Sequence, residues 1–522
     1  MADTIYNEVR YPSAVYAQTH PDRLAMMATL FGMTPAPVER CRVLELGCGD
    51  GWNLITMAYG LPGSEFTGID LASQPVVRGN ALVAQLGLRN VSLREMDVAE
   101  AADLGEFDYI IAHGLYSWVP PQVREKVLEL CGRSLAANGV AYLSYNAYPG
   151  NHARDMVRGM MRYHTAHFAE PGQKIRQARG LVKFLAESKE PREVYHQLLG
   201  QELERVNKYS DAGFFHDDLS SINQAFYFHE FMASAAPHGL QFLAEADMPD
   251  NRREQHPPQV QAVLAGLDPR DIVGMQQYLD FLKCRAFRQT LLCRGAVRLE
   301  RDVPPERACG MRVAGEIRAA SASGSADLHS HTAELFYGPK KAEIETDRPL
   351  VKVAFAKLGA LWPQCIHFRE LLAHAMAELG RSGAEATAED TENLAAALVQ
   401  AHEAGFIEFR MHRPPFITEP GERPRASALA QLQLSYGDRV TTMLHQVAHM
   451  QDPLGRELLR LMDGTRDRAA LKAGLDKVIS NSETPTRRPG ELRDDEAAAE
   501  AVSLEKLEEN IGSLARLGLV VE

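Results

Sequence analysis

The stretch RVLELGCGDGWNL, residues 42–54, followed nineteen residues after Gly51 by Asp70, constrains this chain more than any other feature. Val43, Leu44 and Leu46 form a short apolar run suited to a strand buried in a parallel sheet. Gly47, Gly49 and Gly51 let the backbone turn sharply beneath a ligand. A second strand, predicted over 65–69, then delivers Asp70. An acidic side chain at that place, about 20 residues on, is positioned to accept hydrogen bonds from the two hydroxyls of a ribose. The expected ligand is a nucleoside derivative.

The spacing narrows that class. A dinucleotide site uses G-x-G-x-x-G so that a helix N-terminus meets a pyrophosphate, and that pattern needs glycine where Trp52 stands. The loop here is G-x-G-x-G. Glu45, two residues before the first glycine, places a carboxylate where it repels a pyrophosphate but favours an ammonium or sulfonium group. S-adenosylmethionine has both positive groups and is the expected cofactor. Glu45, Gly47, Cys48, Gly49, Asn53, Asp70 and Leu71 are assigned to it.

At 522 residues the chain exceeds one ordinary domain. With 45% apolar and 24% charged residues it reads as a soluble globular protein with ample core. No stretch approaches a membrane span, and MADTIYNEVRYPS has neither the basic start nor the apolar core of a signal, so a cytoplasmic protein without membrane insertion is expected. The seven cysteines show no paired framework and no C-x-x-C spacing, which predicts reduced thiols and no metal site. A net charge of -13 argues against a broad grip on nucleic acid.

The first half continues as a doubly wound α/β pattern. A helix is predicted to about residue 86, then a strand over 91–96 ending at Asp97, whose carboxylate is placed for an adenine amino group, with Val98 as a backbone donor beside the ring. A strand over 107–112 opens into His113-Gly114-Leu115-Tyr116-Ser117-Trp118. A helix over 122–135 is predicted to stop at Asn138-Gly139, and a fifth strand, 140–144, runs into Tyr145-Asn146-Ala147-Tyr148-Pro149-Gly150. These polar and aromatic residues fall at the carboxyl ends of strands, where open α/β sheets bind ligands.

Residues 151–214 read as a helical insertion, 216–237 as one long aromatic helix, and 240–244 and 290–293 as further strands flanking a helix over 271–287. Residues 1–300 are thus expected to form one Rossmann-like catalytic domain with seven strands. Beyond it, 321–327 reads as a flexible loop, 414–427 as a linker and 480–500 as a low-complexity stretch. Two segments, 393–409 and 510–522, share the pattern amphipathic helix, glycine, short apolar strand. They predict an α+β, winged-helix-like C-terminal region made of a middle domain, 301–413, with a β-rich start, and a last domain, 428–522.

The motifs YNEVRYPS, THPDRL, RVLELGCGDGWNL, FDYIIAHGLYSWVP, SYNAYPG, FHDDL and QQYLDFLKCRAFRQTLLCR together resemble a bacterial class I methyltransferase family with a regulatory domain, a family that includes lysine methyltransferases acting on outer-membrane proteins. The resemblance is strongest over residues 5–300, and it makes 215–300 regulatory-domain-like. Trp52 and Asn151 depart from the usual pattern, which has a small residue and a tryptophan there. The resemblance implies a protein-lysine acceptor, a protein partner exposed at the outer membrane or cell surface, and a homodimer. It also implies that the segment holding Tyr6, Tyr11, Pro12, Thr19, His20 and Pro21 packs across the cofactor, with Tyr11 and Thr19 as contacts.

Methyl transfer from a sulfonium is an in-line displacement that needs alignment and exclusion of water, and a lysine acceptor must first lose a proton. Tyr116, Trp118, Tyr145 and Tyr148 are expected to line a channel whose ring faces attract the cation. Asn146 offers an amide oxygen to the amine, or serves as a turn residue. His113 is read as a cofactor contact, with proton acceptor as its other role. The pairs His216-Asp217 and His229-Glu230 lack the cluster a metal needs.

Three functions fit this pattern: a protein-lysine methyltransferase, a small-molecule or lipid methyltransferase, and a nucleic-acid-binding regulator that senses S-adenosylmethionine. The recognition-helix positions 392–403 hold no Lys or Arg, which favours protein contact over DNA contact.

Overall fold

The computed structural model describes residues 11, 14–101, 103–188, 193–251, 256–268, 270–320, 327–382, 386–482 and 503–522. The expectations for Tyr6, Pro12, most of the 321–327 loop and 483–500 lie outside the described residues. The chain divides into two compact units: Met1–Ala14 with Gln18–Pro304, and Val15–Ala17 with Pro305–Glu522.

The first unit is built on a seven-stranded sheet. In chain order its elements are α1 (Pro21–Leu30), β1 (Arg42–Leu46), α2 (Trp52–Gly60), β2 (Glu65–Asp70), α3 (Ser73–Gln85), β3 (Val91–Glu95), β4 (Phe107–Ala112), α4 (Pro121–Ser134) and β5 (Leu135–Asn146). Then follow α5 (His152–Thr165), α6 (Pro171–Glu187), α7 (Val194–Lys208), α8 (Asp211–Asp218), α9 (Phe228–Ala235), β6 (Leu240–Glu245), α10 (Pro258–Ala265), α11 (Ile272–Lys283) and β7 (Phe287–Arg294). The strand order is β3-β2-β1-β4-β5-β7-β6, with β7 antiparallel to both neighbours. The order reverses beside β1, so the turn leaving β1 opens into the crevice where such sheets bind ligands. Leu44, Leu46, Ile110, Leu143, Phe231, Phe242 and Leu292 share one core around the central strands. The helices α5 to α8 pack on a core of their own around Val157, Met161, Val182, Leu199 and Phe214.

Two sequence expectations are corrected here. Residues Asn138 and Gly139 do not end a helix: α4 stops at Ser134, and β5 runs through them. Leu135 is fully buried and pairs with Phe107, and a side chain at Gly139 would lie 2.9 Å from the Asp108 carbonyl oxygen. The glycine therefore marks close approach of the neighbouring strand. Nor is 216–237 one helix. It is α8, an extended segment, and α9, because the segment between them pairs with the end of β5. Phe226 bridges Ala147, and the Gln224 amide donates to the Ser117 carbonyl at 2.9 Å.

The second unit carries β8 (Arg312–Ala314), β9 (Arg318–Ala319), β10 (Glu334–Tyr337), β11 (Glu343–Thr346), α12 (Pro349–Leu361), β12 (Ile366–His367), α13 (Phe368–Glu378), α14 (Ala388–Glu403) and β13 (Glu408–Arg410). It ends with α15 (Ala428–Gln433), β14 (Arg439–Thr441), β15 (Val447–His449), α16 (Pro453–Leu461), α17 (Arg468–Ser482) and α18 (Leu504–Arg516). Both halves repeat helix, left-handed glycine, returning strand. After α14, Gly405 precedes β13, which pairs with β8; after α18, Gly518 precedes Val520, which bridges Ala426. The expected linker at 414–427 is packed instead. Phe416 is buried, and the Ile417 amide donates to the Val520 carbonyl at 3.0 Å.

The strongest buried polar cluster lies under β7. Arg288 is fully buried, donates to both Asp280 oxygens at 2.8 Å and to Glu245 at 2.6 Å, and sits over the Phe228 ring at 3.8 Å. Removing this cation leaves two buried carboxylates to share Arg285, which lies 2.8 Å from Asp280 and 3.6 Å from Glu245. Arg288→Met is expected to cost about 3–5 kcal/mol, read as a lower unfolding midpoint, and a loss under about 1 kcal/mol would contradict this account of the cluster.

Candidate functional site

The site grows from the turn between β1 and α2. Gly47, Gly49 and Gly51 all take left-handed φ angles, of 71°, 57° and 73°. Each has its own surroundings. A side chain on Gly51 would meet Leu93 at 2.6 Å, and one on Gly47 would meet Leu115 at 3.1 Å, whereas at Gly49 no atom stands within 4 Å. Gly49 is therefore the open face of the loop, and the flanking glycines let it sit close above the sheet.

Asp70 holds this loop from the end of β2. One carboxylate oxygen accepts from the Gly49 amide at 2.7 Å and the other from the Ala72 amide at 2.8 Å. Each oxygen keeps a second acceptor position. Burial raises the Asp70 carboxyl above its ordinary value, against the lowering effect of these two bonds. Leu71 beside it is exposed.

Glu45 lies at the heart of the turn, 4% exposed. Asn53 donates to its Oε1 at 2.8 Å and also to the Thr19 hydroxyl at 3.0 Å. Its Oε2 is buried with no hydrogen-bond partner among the described residues. Burial pushes the carboxyl up to about 8, with the Asn53 bond opposing and Asp70 and Asp50 adding to the rise. A buried carboxyl with one unmet oxygen, beside an open glycine cradle, fits a ligand that brings a positive group.

Asp97 ends the β3 segment and accepts from the Ala99 amide at 2.8 Å, so it caps a short turn that begins with buried Val98. Cys48, part-buried in the loop, has its thiol pushed well up by burial. His113 follows β4. Its Nδ1 lies 3.0 Å from the Tyr142 hydroxyl and 3.4 Å from the Ser144 hydroxyl, and its ring faces the edge of Phe287. Burial lowers it to about 4. It is therefore a weakly basic, neutral ring at pH 7.

The aromatic residues divide into two groups. Tyr116 and Tyr145 are 3% and 0% exposed and pack with Phe226 and Phe231, Tyr145 stacked on Phe231 at 4.2 Å. The apolar side of the sheet end claims them. Trp118 and Tyr148 are only part-buried. The Trp118 indole nitrogen has no hydrogen-bond partner among the described residues, while Tyr148 donates to Asp155 at 2.7 Å and stacks on His152 at 4.1 Å.

Asn146 joins strands to the later segment. Its amide N–H donates to the Ser117 hydroxyl at 2.8 Å, its carbonyl accepts from Phe226 at 3.0 Å, and its side-chain nitrogen donates to Asn223 at 2.7 Å. Tyr11 reaches another part of that segment: its hydroxyl donates to Asp217 at 3.4 Å, and its ring meets His216 edge-on. Asp217 is raised to about 6, chiefly by burial. Sequence reasoning missed Ser117, Asn223, Tyr142, Ser144 and Phe287. Ser117 and Asn223 act through pairings between distant segments, Tyr142 and Ser144 sit in a strand read only for its apolar pattern, and Phe287, read as the end of a helix, begins β7 because α11 stops at Lys283.

A seven-stranded sheet with its last strand antiparallel, a glycine turn after β1, and acidic residues at the ends of β1 and β2 define a class I methyltransferase fold and site. Comparison with known proteins agrees. The family described as "Methyltransferase domain" matches residues 43–139, "Predicted methyltransferase regulatory domain" matches 210–294, and "PKMT, C-terminal winged helix domain" matches 422–519. Protein RP789 of Rickettsia prowazekii is 32% identical over 500 residues, covering 93% of this chain and 88% of its own. The solved structure of PKMT2 from Rickettsia typhi in complex with AdoHcy superimposes with a TM-score of 0.83 at 26% identity, covering 98% of this chain and all of that one. The chain belongs to this family of S-adenosylmethionine-dependent class I methyltransferases with a regulatory domain and a C-terminal winged helix.

Two outcomes follow. Asp70→Ala frees the loop and is expected to weaken AdoHcy binding by about 1–3 kcal/mol in calorimetry; unchanged affinity would refute the placement of this residue. In the ligand-free protein the raised Glu45 makes the folded state keep a proton that the unfolded chain has lost, so this group's contribution falls as pH rises towards about 8. A cation entering beside Glu45 favours the ionised form. AdoHcy affinity is therefore expected to rise towards pH 8 with proton release, and Glu45→Gln to flatten that slope.

Proposed function

We propose that the protein transfers methyl groups from S-adenosylmethionine to lysine side chains of a protein substrate, an outer-membrane or surface protein met in the cytoplasm before export. The observation that carries this reading is the full-length likeness to PKMT2, read as a protein lysine methyltransferase, together with a PKMT winged helix in this chain. The seven free cysteines suit a reducing compartment.

When bound, the donor supplies an electrophilic methyl carbon, to which the amine lone pair forms a C–N bond as the C–S bond breaks and the thioether leaves. Glu45 and Asn53 receive its ammonium end, Gly47, Cys48 and Gly49 its middle, and Asp70, Leu71, Asp97 and Val98 its nucleoside, with Thr19 supporting Asn53. Trp118 and Tyr148 offer part-buried rings to the approaching lysine, whose ammonium is favoured by ring faces until it loses its proton to water. Asn146 accepts a hydrogen bond from the neutral amine and leaves the lone pair free. His113, neutral, closes the wall between β4 and β5. Tyr11 meets α8 at Asp217 and His216.

Incubating the protein with labelled donor and an unfolded cell-envelope protein fraction, then mapping the label by mass spectrometry, is expected to place it on lysine. Label confined to lipids or small molecules would sink the lysine reading. Asn146→Ala is expected to lower kcat by roughly 10- to 100-fold with AdoHcy affinity unchanged, as misorientation of the nucleophile requires.

A further inference from the structure

We propose that Asn223 is a positioning residue for methyl transfer, setting which end of the Asn146 amide faces the acceptor. The proposal rests on the reading of Asn146 as the group that orients a lysine amine. An asparagine amide has nearly the same shape when turned over, so its partners alone decide its direction. Here the decision is made two residues away. The Asp217 backbone carbonyl can only accept, and Asn223 donates its Nδ2–H to it at 2.7 Å. That leaves the Asn223 oxygen facing Asn146, which must then donate its own Nδ2–H, also at 2.7 Å. The Asn146 oxygen is thereby left as an acceptor, and no described residue donates to it.

The direction matters to the chemistry. An amide oxygen takes an N–H of the amine and leaves the nitrogen lone pair free for the methyl carbon. A reversed amide would present N–H donors, which engage the very lone pair that must form the new bond. The end of the relay is itself fixed. Asp217 precedes Asp218, which is fully buried and paired with Arg154 and Arg205, each at 2.9 Å. Asn146 is pinned at its other end by Ser117 and Phe226.

The test uses full-length protein, labelled donor and the unfolded envelope fraction, with label counted on lysine. Asn223→Leu is expected to lower kcat by about 10- to 100-fold, with little change in acceptor KM and none in AdoHcy affinity. Asn223→Asp still accepts from Asn146 but sets a carboxylate oxygen against the Asp217 carbonyl in place of the donated bond, so it should recover most of the rate relative to Asn223→Leu while its melting temperature falls. In an Asn146→Ala background, Asn223→Leu should cause no further loss, because its effect passes through that amide. A wild-type rate in Asn223→Leu, an Asn223→Asp variant as slow as Asn223→Leu, or losses that multiply in the double variant would each overturn the proposal. If wild-type protein labels no lysine, the reading beneath it fails, and the proposal with it.

Discussion

Two hydrogen bonds from backbone amides to one carboxylate hold the site together. Asp70, at the end of β2, accepts from Gly49 in the loop and from Ala72 at the start of the next helix. Because β2 is paired with β1, this clasp draws the glycine turn back over the sheet edge from which Glu45 comes. The left-handed glycines make the turn tight enough, and Asn53 then secures Glu45 from the helix side. The open cradle at Gly49 and the buried, half-satisfied carboxyl are consequences of one local geometry. In the proposed site a positive ligand completes it.

The proposed acceptor end is organised differently. It depends on a segment, 219–227, that arrives after a helical insertion and threads back to the end of β5. Phe226 bridges Ala147, Gln224 binds the Ser117 carbonyl, and Asn223 meets Asn146. The insertion has its own core and its own buried ion pairs around Asp218, so it gives that segment a packed support. The proposed donor end is thus made by residues close in sequence and the proposed acceptor end by residues far apart.

That difference explains what could be read from the sequence. The loop, Asp70 and the first four strands were legible because apolar runs, glycines and acidic residues at fixed spacing report local geometry. The antiparallel seventh strand was recovered as a short apolar run. The break between α8 and α9 was not legible, since an aromatic run such as AFYFHEFM suits a helix as well as an extended edge. Gly139 misled for a similar reason: a glycine that lets a neighbouring strand approach looks like one that turns a chain. Tyr116 and Tyr145 were assigned by position at strand ends, but only three-dimensional packing shows that their rings point into the core while Trp118 and Tyr148 stay part-exposed.

In the proposed site Glu45 receives the cationic end of a methyl donor. Comparing affinities for AdoHcy and for 5′-methylthioadenosine, which has the same nucleoside but no amino acid portion, tests it directly. AdoHcy should bind at least about tenfold more tightly, as a hydrogen bond to a charged group requires, and Glu45→Gln should narrow the gap. Equal affinities in the wild-type protein would contradict the account.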